Sequence, residues 1–144
     1  MKKIFLVLIS VFMLISLSGC TKEKEVSNDE FDVSKNIATI VEDGPSTSSN
    51  PYDYIKASQD KYDELLNHPK ESFEYSIEDL IKSNAGNGLK SYIEALLCTK
   101  INTNFEYDFE SANDFLDNYK KFLNNKKSKL NDYDKYAKSL LNEE

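Results

Sequence analysis

From Pro51 onward, the apolar residues recur at intervals of three and four, which is the spacing of one face of an α-helix. Asn50 is a good N-cap and Pro51 suits the first helical position, so the first helix is expected to run to about Asn67. The residues assigned to its inward face are Tyr52, Ile55, Gln59, Tyr62 and Leu66. This pattern predicts an all-α domain.

Four further apolar stripes follow along the chain. The second helix is expected to begin at Pro69 and to stop in the polar run 83–88, and the fourth to begin near Glu110. The sequence leaves open whether Asn124 and Asn125 separate helices four and five. The inward positions of helices two to five are Phe73, Ile77, Leu80 and Ile81; Leu89, Tyr92, Ile93, Leu96, Leu97 and Ile101; Ala112, Phe115, Leu116, Tyr119, Phe122 and Leu123; and Leu130, Tyr133, Ala137, Leu140 and Leu141. Four or five short helices are therefore expected, in a small bundle or a solenoid-like stack of hairpins.

The first residues have the pattern of a secretion signal. Lys2 and Lys3 precede an apolar run, Ile4 to Ser16, and small residues follow it. As a helix the run would span roughly 20 Å, which is short of the ~30 Å hydrocarbon core of a bilayer. A cleaved signal peptide is therefore the better interpretation than a permanent transmembrane helix.

The segment Leu17-Ser18-Gly19-Cys20 resembles the lipobox of bacterial lipoproteins. The resemblance implies that the Cys20 thiol receives a diacylglyceryl group, detectable as palmitate, and that a dedicated signal peptidase cleaves between Gly19 and Cys20. It also implies that the protein is located on the extracytoplasmic face of the cell membrane, held there by its lipid.

The domain organisation follows from composition. We expect a lipoprotein signal peptide at 1–19, a lipidated, flexible and disordered tether at 20–50, and the helical domain at 51–144. The tether is mostly polar, with a few apolar residues, and the sequence leaves open whether these dock on the domain. They are Phe31, Val33, Ile37, Ile40 and Val41.

Charge and residue usage exclude several function classes. A net charge of -7 argues against nucleic acid as a partner, because nucleic-acid binding requires a dense cationic face. One His and two Cys are too few for a structural zinc site. No phosphate-binding glycine loop and no hydrolase motif occurs in the sequence, so no cofactor, metal or catalytic set is expected.

Cys98 and His68 are the only candidates for nucleophilic catalysis. Cys98 lies within the apolar run of the third helix, and His68 lies in the turn before Pro69. A reactive pair would require that turn to fold over the middle of the third helix, so a buried, inert Cys98 is the preferred interpretation.

Asn102 to Phe109 has two possible interpretations. Oxygen-bearing residues at every second position resemble the start of a calcium loop, but Tyr107 occupies the position of the turn glycine and Asn113 that of the last ligand. The alternation of aromatic and polar residues favours a short extended segment instead.

Five lysines lie close together near the end of the fourth helix. They are Lys120, Lys121, Lys126, Lys127 and Lys129. The pattern is typical of lysines that favour a helix C-terminus and face solvent, and the alternative is contact with anionic headgroups or a cell-wall polymer.

Residues 68–101, which include HPKESFEY at 68–75 and NGLKSYIEALLC at 87–98, resemble small helical lipoproteins of low-GC Gram-positive bacteria such as clostridia and bacilli. That family has no assigned activity, so no catalytic residue is implied. The resulting hypothesis is a non-enzymatic surface interaction module, held to the membrane by its lipid and binding an envelope protein or cell-wall partner. The alternatives are a small solute-binding lipoprotein and a Cys98-dependent enzyme.

Overall fold

The structure, a computed structural model, describes residues 31–142, which contain seven α-helices and no strand. The helices are α1 (Val33–Asp43), α2 (Pro51–Ala57), α3 (Gln59–Asn67), α4 (Pro69–Lys82), α5 (Leu89–Ile101), α6 (Ala112–Asn124) and α7 (Asp132–Leu141). The predicted all-α class is confirmed for this part of the chain. The number of helices is higher than the four or five expected.

The first additional helix, α1, lies inside the segment predicted as a disordered tether. The Asp32 side chain accepts a hydrogen bond from the backbone N–H of Lys35 and caps this helix. Val33, Ile37 and Ile40 lie on one face and are buried in the core. The prediction of disorder is wrong for this segment, because the helical spacing of its few apolar residues outweighs the polar composition around them. The packed domain therefore includes residues 31–50.

The second additional helix results from a break at Ser58. Ser58 has φ -124° and ψ 48°, and its N–H donates to the carbonyl of Tyr54. The break changes the phase of the following turns, so Leu65 is buried in place of the predicted Leu66, which is partly buried. Tyr52 is 59% exposed and Gln59 is exposed, so their predicted inward positions are wrong.

Helices α4 and α5 form an antiparallel hairpin at the centre of the domain. On one side, α1, α2 and α3 pack against Ile93 and Leu97 of α5. On the other side, α6 and α7 pack against α4 and against Ala95 and Cys98 of α5. Because α5 has a core on both sides, nearly all of its middle is apolar.

The predicted stop after the second helix is confirmed. Asn84, Ala85 and Gly88 have positive φ angles of 49°, 52° and 58°, which end α4 and turn the chain back. The N–H of Ala85 donates to the carbonyl of Leu80 at 2.8 Å. Ala85 is buried in the core, which offsets its backbone strain of about 1 kcal/mol.

Helices α6 and α7 are separate, which answers the question left open by the sequence. A capping box at Asn131 begins α7: its side chain accepts from the N–H of Asp134, and the Asp134 carboxylate accepts from the N–H of Asn131. The segment 102–111 connects α5 to α6 and is not a strand, because residues 31–142 contain no other strand that could pair with it. The alternation of aromatic and polar residues has a different cause, since Phe105 and Phe109 pack against the core and Tyr107 is exposed.

Candidate binding surface

The residues predicted for lipid attachment and cleavage, Gly19 and Cys20, lie outside the described residues. The signal peptide and the first part of the predicted tether lie there too. Between residues 31 and 142, no helix combines the length and the apolar content needed to cross a bilayer.

Cys98 and His68 occupy different environments. The Cys98 side chain is buried in the core, where burial, followed by the charge of Glu94, raises the pKa of its thiol well above the usual value. His68 is exposed and its ring stacks on Phe31, with 3.9 Å between the ring centroids. Among residues 31–142, no histidine lies beside Cys98, and its side chain has no access to solvent.

The residues of the calcium-like pattern are used inside the fold. The Asn102 side chain donates to the hydroxyl of Tyr119 at 3.0 Å and to the carboxylate of Asp134 at 2.7 Å. Asn104 also donates to Asp134, and Tyr119 donates to it at 2.8 Å. No cluster of three or more potential metal-ligating His, Cys, Asp or Glu side chains occurs in residues 31–142. These amides join α5, α6 and α7 at the C-terminal end of α5.

A half-open depression of about 380 Å³ lies between α2, α3 and α5. Its lining residues are Tyr52, Ile55, Tyr62, Leu96, Thr99 and Lys100. Ile55, Leu96 and the ring of Tyr62 supply apolar surface, and Tyr52 is the most exposed large apolar side chain among the described residues. This is the composition of a ligand site: apolar walls with a few polar groups.

A second depression, of about 500 Å³, follows the first along α5. Its lining residues are Ser49, Pro51, Tyr54, Gly88, Leu89, Tyr92 and Glu110. The α5 residues of both depressions are spaced by three and four, so they share one helix face. The two depressions together are called the α5 groove below.

The polar groups of the α5 groove are partly free to bind. Lys100 is exposed and has no ion pair within residues 31–142, and the hydroxyl of Tyr62 has no hydrogen-bond partner there. Burial raises the pKa of Tyr62 to about 12, so its phenol stays a neutral donor. In contrast, Tyr54 and Tyr92 donate to the carbonyls of Ser48 and Phe109, which fixes their rings as walls.

A partly buried charge cluster holds α5 against α4. The ammonium of Lys90 lies 2.9 Å from the Asp79 carboxylate and 3.3 Å from that of Glu94, and also lies over the ring of Tyr75. Burial, followed by the charge of Asp79, raises the pKa of the fully buried Glu94 to about 8. Burial alone would lower the pKa of Lys90, but its hydrogen bond to Asp79 and the nearby carboxyl groups outweigh this effect and raise it. Near neutral pH Glu94 is therefore protonated, and the Lys90 ammonium has Asp79 as its hydrogen-bond partner.

The sequence interpretation missed both the groove and the charge cluster. A signal for Glu94 was present, because it is the one acid within the most apolar helix, between Ile93 and Ala95. The many tyrosines are compatible with an exposed aromatic surface, but Tyr52 was assigned to the core, so the groove was not predicted.

Comparisons of the chain with protein-family models, with curated protein sequences and with solved structures find no match. The resemblance to lipoproteins therefore stays a prediction that depends on residues 17–20 and 68–101.

Proposed function

We propose that this protein is a membrane-anchored extracytoplasmic lipoprotein whose helical domain is a non-enzymatic binding module. The α5 groove is the binding surface. The observation that supports it most is the exposure of Tyr52 above an apolar floor, because a large aromatic ring left in solvent is typical of interaction surfaces.

The anchor is assigned to Cys20 on the basis of the lipobox at residues 17–20. Cys20→Ser removes the sulfur that accepts the diacylglyceryl group, whereas Cys98→Ser changes only a buried core thiol. Metabolic palmitate labelling and detergent partitioning are expected to show a lipid on the wild type and on Cys98→Ser, but not on Cys20→Ser. Label on Cys20→Ser, or none on the wild type, would contradict the assignment.

The binding surface is tested by photo-crosslinking on intact cells. A photoreactive residue at position 52 is expected to give a discrete crosslinked product with an envelope component. Position 107 is the matched control, because Tyr107 is also an exposed tyrosine but does not line the groove. Equal products from both positions would exclude a specific role for the groove.

The second candidate function is the binding of a small solute in the same groove. The 380 Å³ of the first depression favours it, since ligand sites are commonly ~300–1,000 Å³. A thermal-shift screen with small metabolites separates the two functions. A metabolite that stabilises the wild type, but not a Leu96→Asp variant, would favour solute binding over a macromolecular partner.

A further inference from the structure

We propose that the five lysines Lys120, Lys121, Lys126, Lys127 and Lys129 form a docking surface for anionic phospholipid headgroups. These residues are called the lysine surface. The position of this surface beside the membrane depends on the proposed lipid anchor, whereas its affinity for headgroups depends only on the domain.

The lysine surface is a local reversal of the charge of the protein. The chain has 25 acidic residues and a net charge of -7, yet no acidic residue lies between Asp117 and Asp132. Lys121, Lys126, Lys127 and Lys129 are exposed, and Lys120 is half-buried. Charges more than ~8 Å apart are largely screened at physiological salt. The exposed Asp117 lies one turn before Lys120 and Lys121 and offsets part of their charge, so an approaching anionic surface interacts mainly with Lys126, Lys127 and Lys129.

Neighbouring carboxylates do not neutralise the surface. None of its five lysines forms an ion pair with any residue between 31 and 142. Asp132 pairs with Lys135 at 2.9 Å. Asp134 is buried and accepts hydrogen bonds from Asn102 and Tyr119. The positive charge of the surface is therefore available to a partner.

The turn that carries three of these lysines is held in place. The Asn125 side chain accepts from the N–H of Lys127 at 3.0 Å, and the N–H of Ser128 donates to the Asn125 carbonyl at 3.0 Å. The Asn104 side chain donates to the carbonyl of Lys129 at 2.8 Å. Binding thus orders only side chains and not a loop, which reduces its entropic cost.

The packed domain begins close to the proposed anchor. Ten residues separate Cys20 from Phe31, so eleven residue steps join them and span at most ~40 Å whatever their path. The start of the domain therefore stays within that distance of the headgroups, at a high effective concentration of lipid. This favours headgroups over a cell-wall polymer as the source of negative charge.

The test measures binding of unacylated protein to vesicles. The chain from residue 20 onward, carrying Cys20→Ser, contains the whole described domain and is mixed with vesicles of phosphatidylcholine, with or without phosphatidylglycerol. Sedimentation is expected only with the anionic vesicles, and added salt should weaken it. The triple variant Lys126→Gln, Lys127→Gln and Lys129→Gln should bind roughly a hundredfold more weakly, since each lysine contributes about fivefold.

The matched control removes the same charge elsewhere. The triple variant Lys56→Gln, Lys61→Gln and Lys70→Gln removes three charges from α2, α3 and α4, helices that carry no residue of the lysine surface. It should change vesicle binding by less than about twofold. Equal losses in both triple variants would overturn the proposal, as would equal binding to neutral vesicles. Binding to soluble polyphosphate without binding to anionic vesicles would also overturn it. Failure of palmitate labelling of Cys20 would contradict the anchor and leave this result unaffected.

Discussion

The ammonium of Lys90 lies 3.3 Å from the carboxyl of Glu94, one turn further along α5, but Glu94 accepts no hydrogen bond from the described residues. The same ammonium hydrogen-bonds the partly exposed Asp79 at 2.9 Å. The Lys90 ammonium therefore has Asp79 as its hydrogen-bond partner, while burial favours the protonated form of Glu94. This proton makes folding sensitive to pH.

The first prediction is that stability decreases as pH rises from about 4.5 to about 8. Over that range native Glu94, whose pKa is raised to about 8, holds a proton that the unfolded chain releases near 4.5. Native protein thus binds more protons, and the free energy of unfolding falls by up to ~1.4 kcal/mol per pH unit. Glu94→Gln should remove this slope and be more stable than wild type at pH 9.

Urea unfolding at pH 5, 7 and 9 measures the effect. Glu71→Gln, on the exposed side of the first turn of α4, is the control and should keep the wild-type slope. A wild-type protein equally stable at pH 5 and pH 9 would refute the assignment of a protonated Glu94.

The second prediction concerns Asp134. Its carboxylate accepts from Asn102, Asn104, Tyr119 and the N–H of Asn131. Asp134→Asn replaces an acceptor oxygen with a donor and leaves buried donors unpaired, so it should destabilise by about 3 kcal/mol.

Thermal and urea unfolding would measure this loss against Asp132→Asn. Asp132 is exposed and forms a surface ion pair with Lys135, so its variant should lose little stability. Similar losses in the two variants would show that the buried network contributes little.

The third prediction concerns Gly44, where α1 ends. A Cβ at this position would lie 1.8 Å from Cδ1 of Tyr54, whose hydroxyl is held by the Ser48 carbonyl at 2.9 Å. Gly44→Ala should therefore destabilise by about 2 kcal/mol through steric overlap. In the double variant with Tyr54→Ala, the alanine at 44 should have no further effect, which a double-mutant cycle by urea unfolding would measure. Additive losses would exclude the clash as the cause.

The fourth prediction is that Cys98 resists alkylation until the domain unfolds. Its thiol is buried and its pKa is raised by burial. With Cys20→Ser in all samples, iodoacetamide should label Cys98 only in denaturant. The control is Thr99→Cys with Cys98→Ser, which places a thiol in the α5 groove and should react in the native state. Fast labelling of native Cys98 at neutral pH would restore the enzyme alternative.

The sequence correctly predicted the helix ends that are marked by proline or by turn-forming residues. Pro69, the run 83–88 and the pair Asn124–Asn125 mark real helix ends, because proline and left-handed turn residues restrict the backbone locally. Ser58 gave no such signal. Serine is compatible with a helix interior, and the break there depends on the packing of the two short helices on either side of it.

The candidate site was harder to predict, because a groove depends on which side chains the fold leaves uncovered. Tyr52 and Tyr62 were predicted to lie on the same helix face. Only Tyr62 is buried, because the break at Ser58 divides that helix into α2 and α3. The partners of Asp134 are likewise up to 32 positions away in sequence, so no local pattern links them.

The docking of α1 on the core has a mechanical consequence. A pulling force applied through residue 31 acts on α1 before any other helix. The packing of the Ile37 and Ile40 side chains resists this force, and no hydrogen bonds between strands add to the resistance within residues 31–142. Since Gly44 lies directly beneath the ring of Tyr54, displacement of α1 would also release one wall of the α5 groove. We expect single-molecule pulling from the N-terminal end to show an early extension step, which Ile37→Ala would shift to lower force. Tension between the domain and the proposed lipid anchor would thus weaken the proposed binding in the groove.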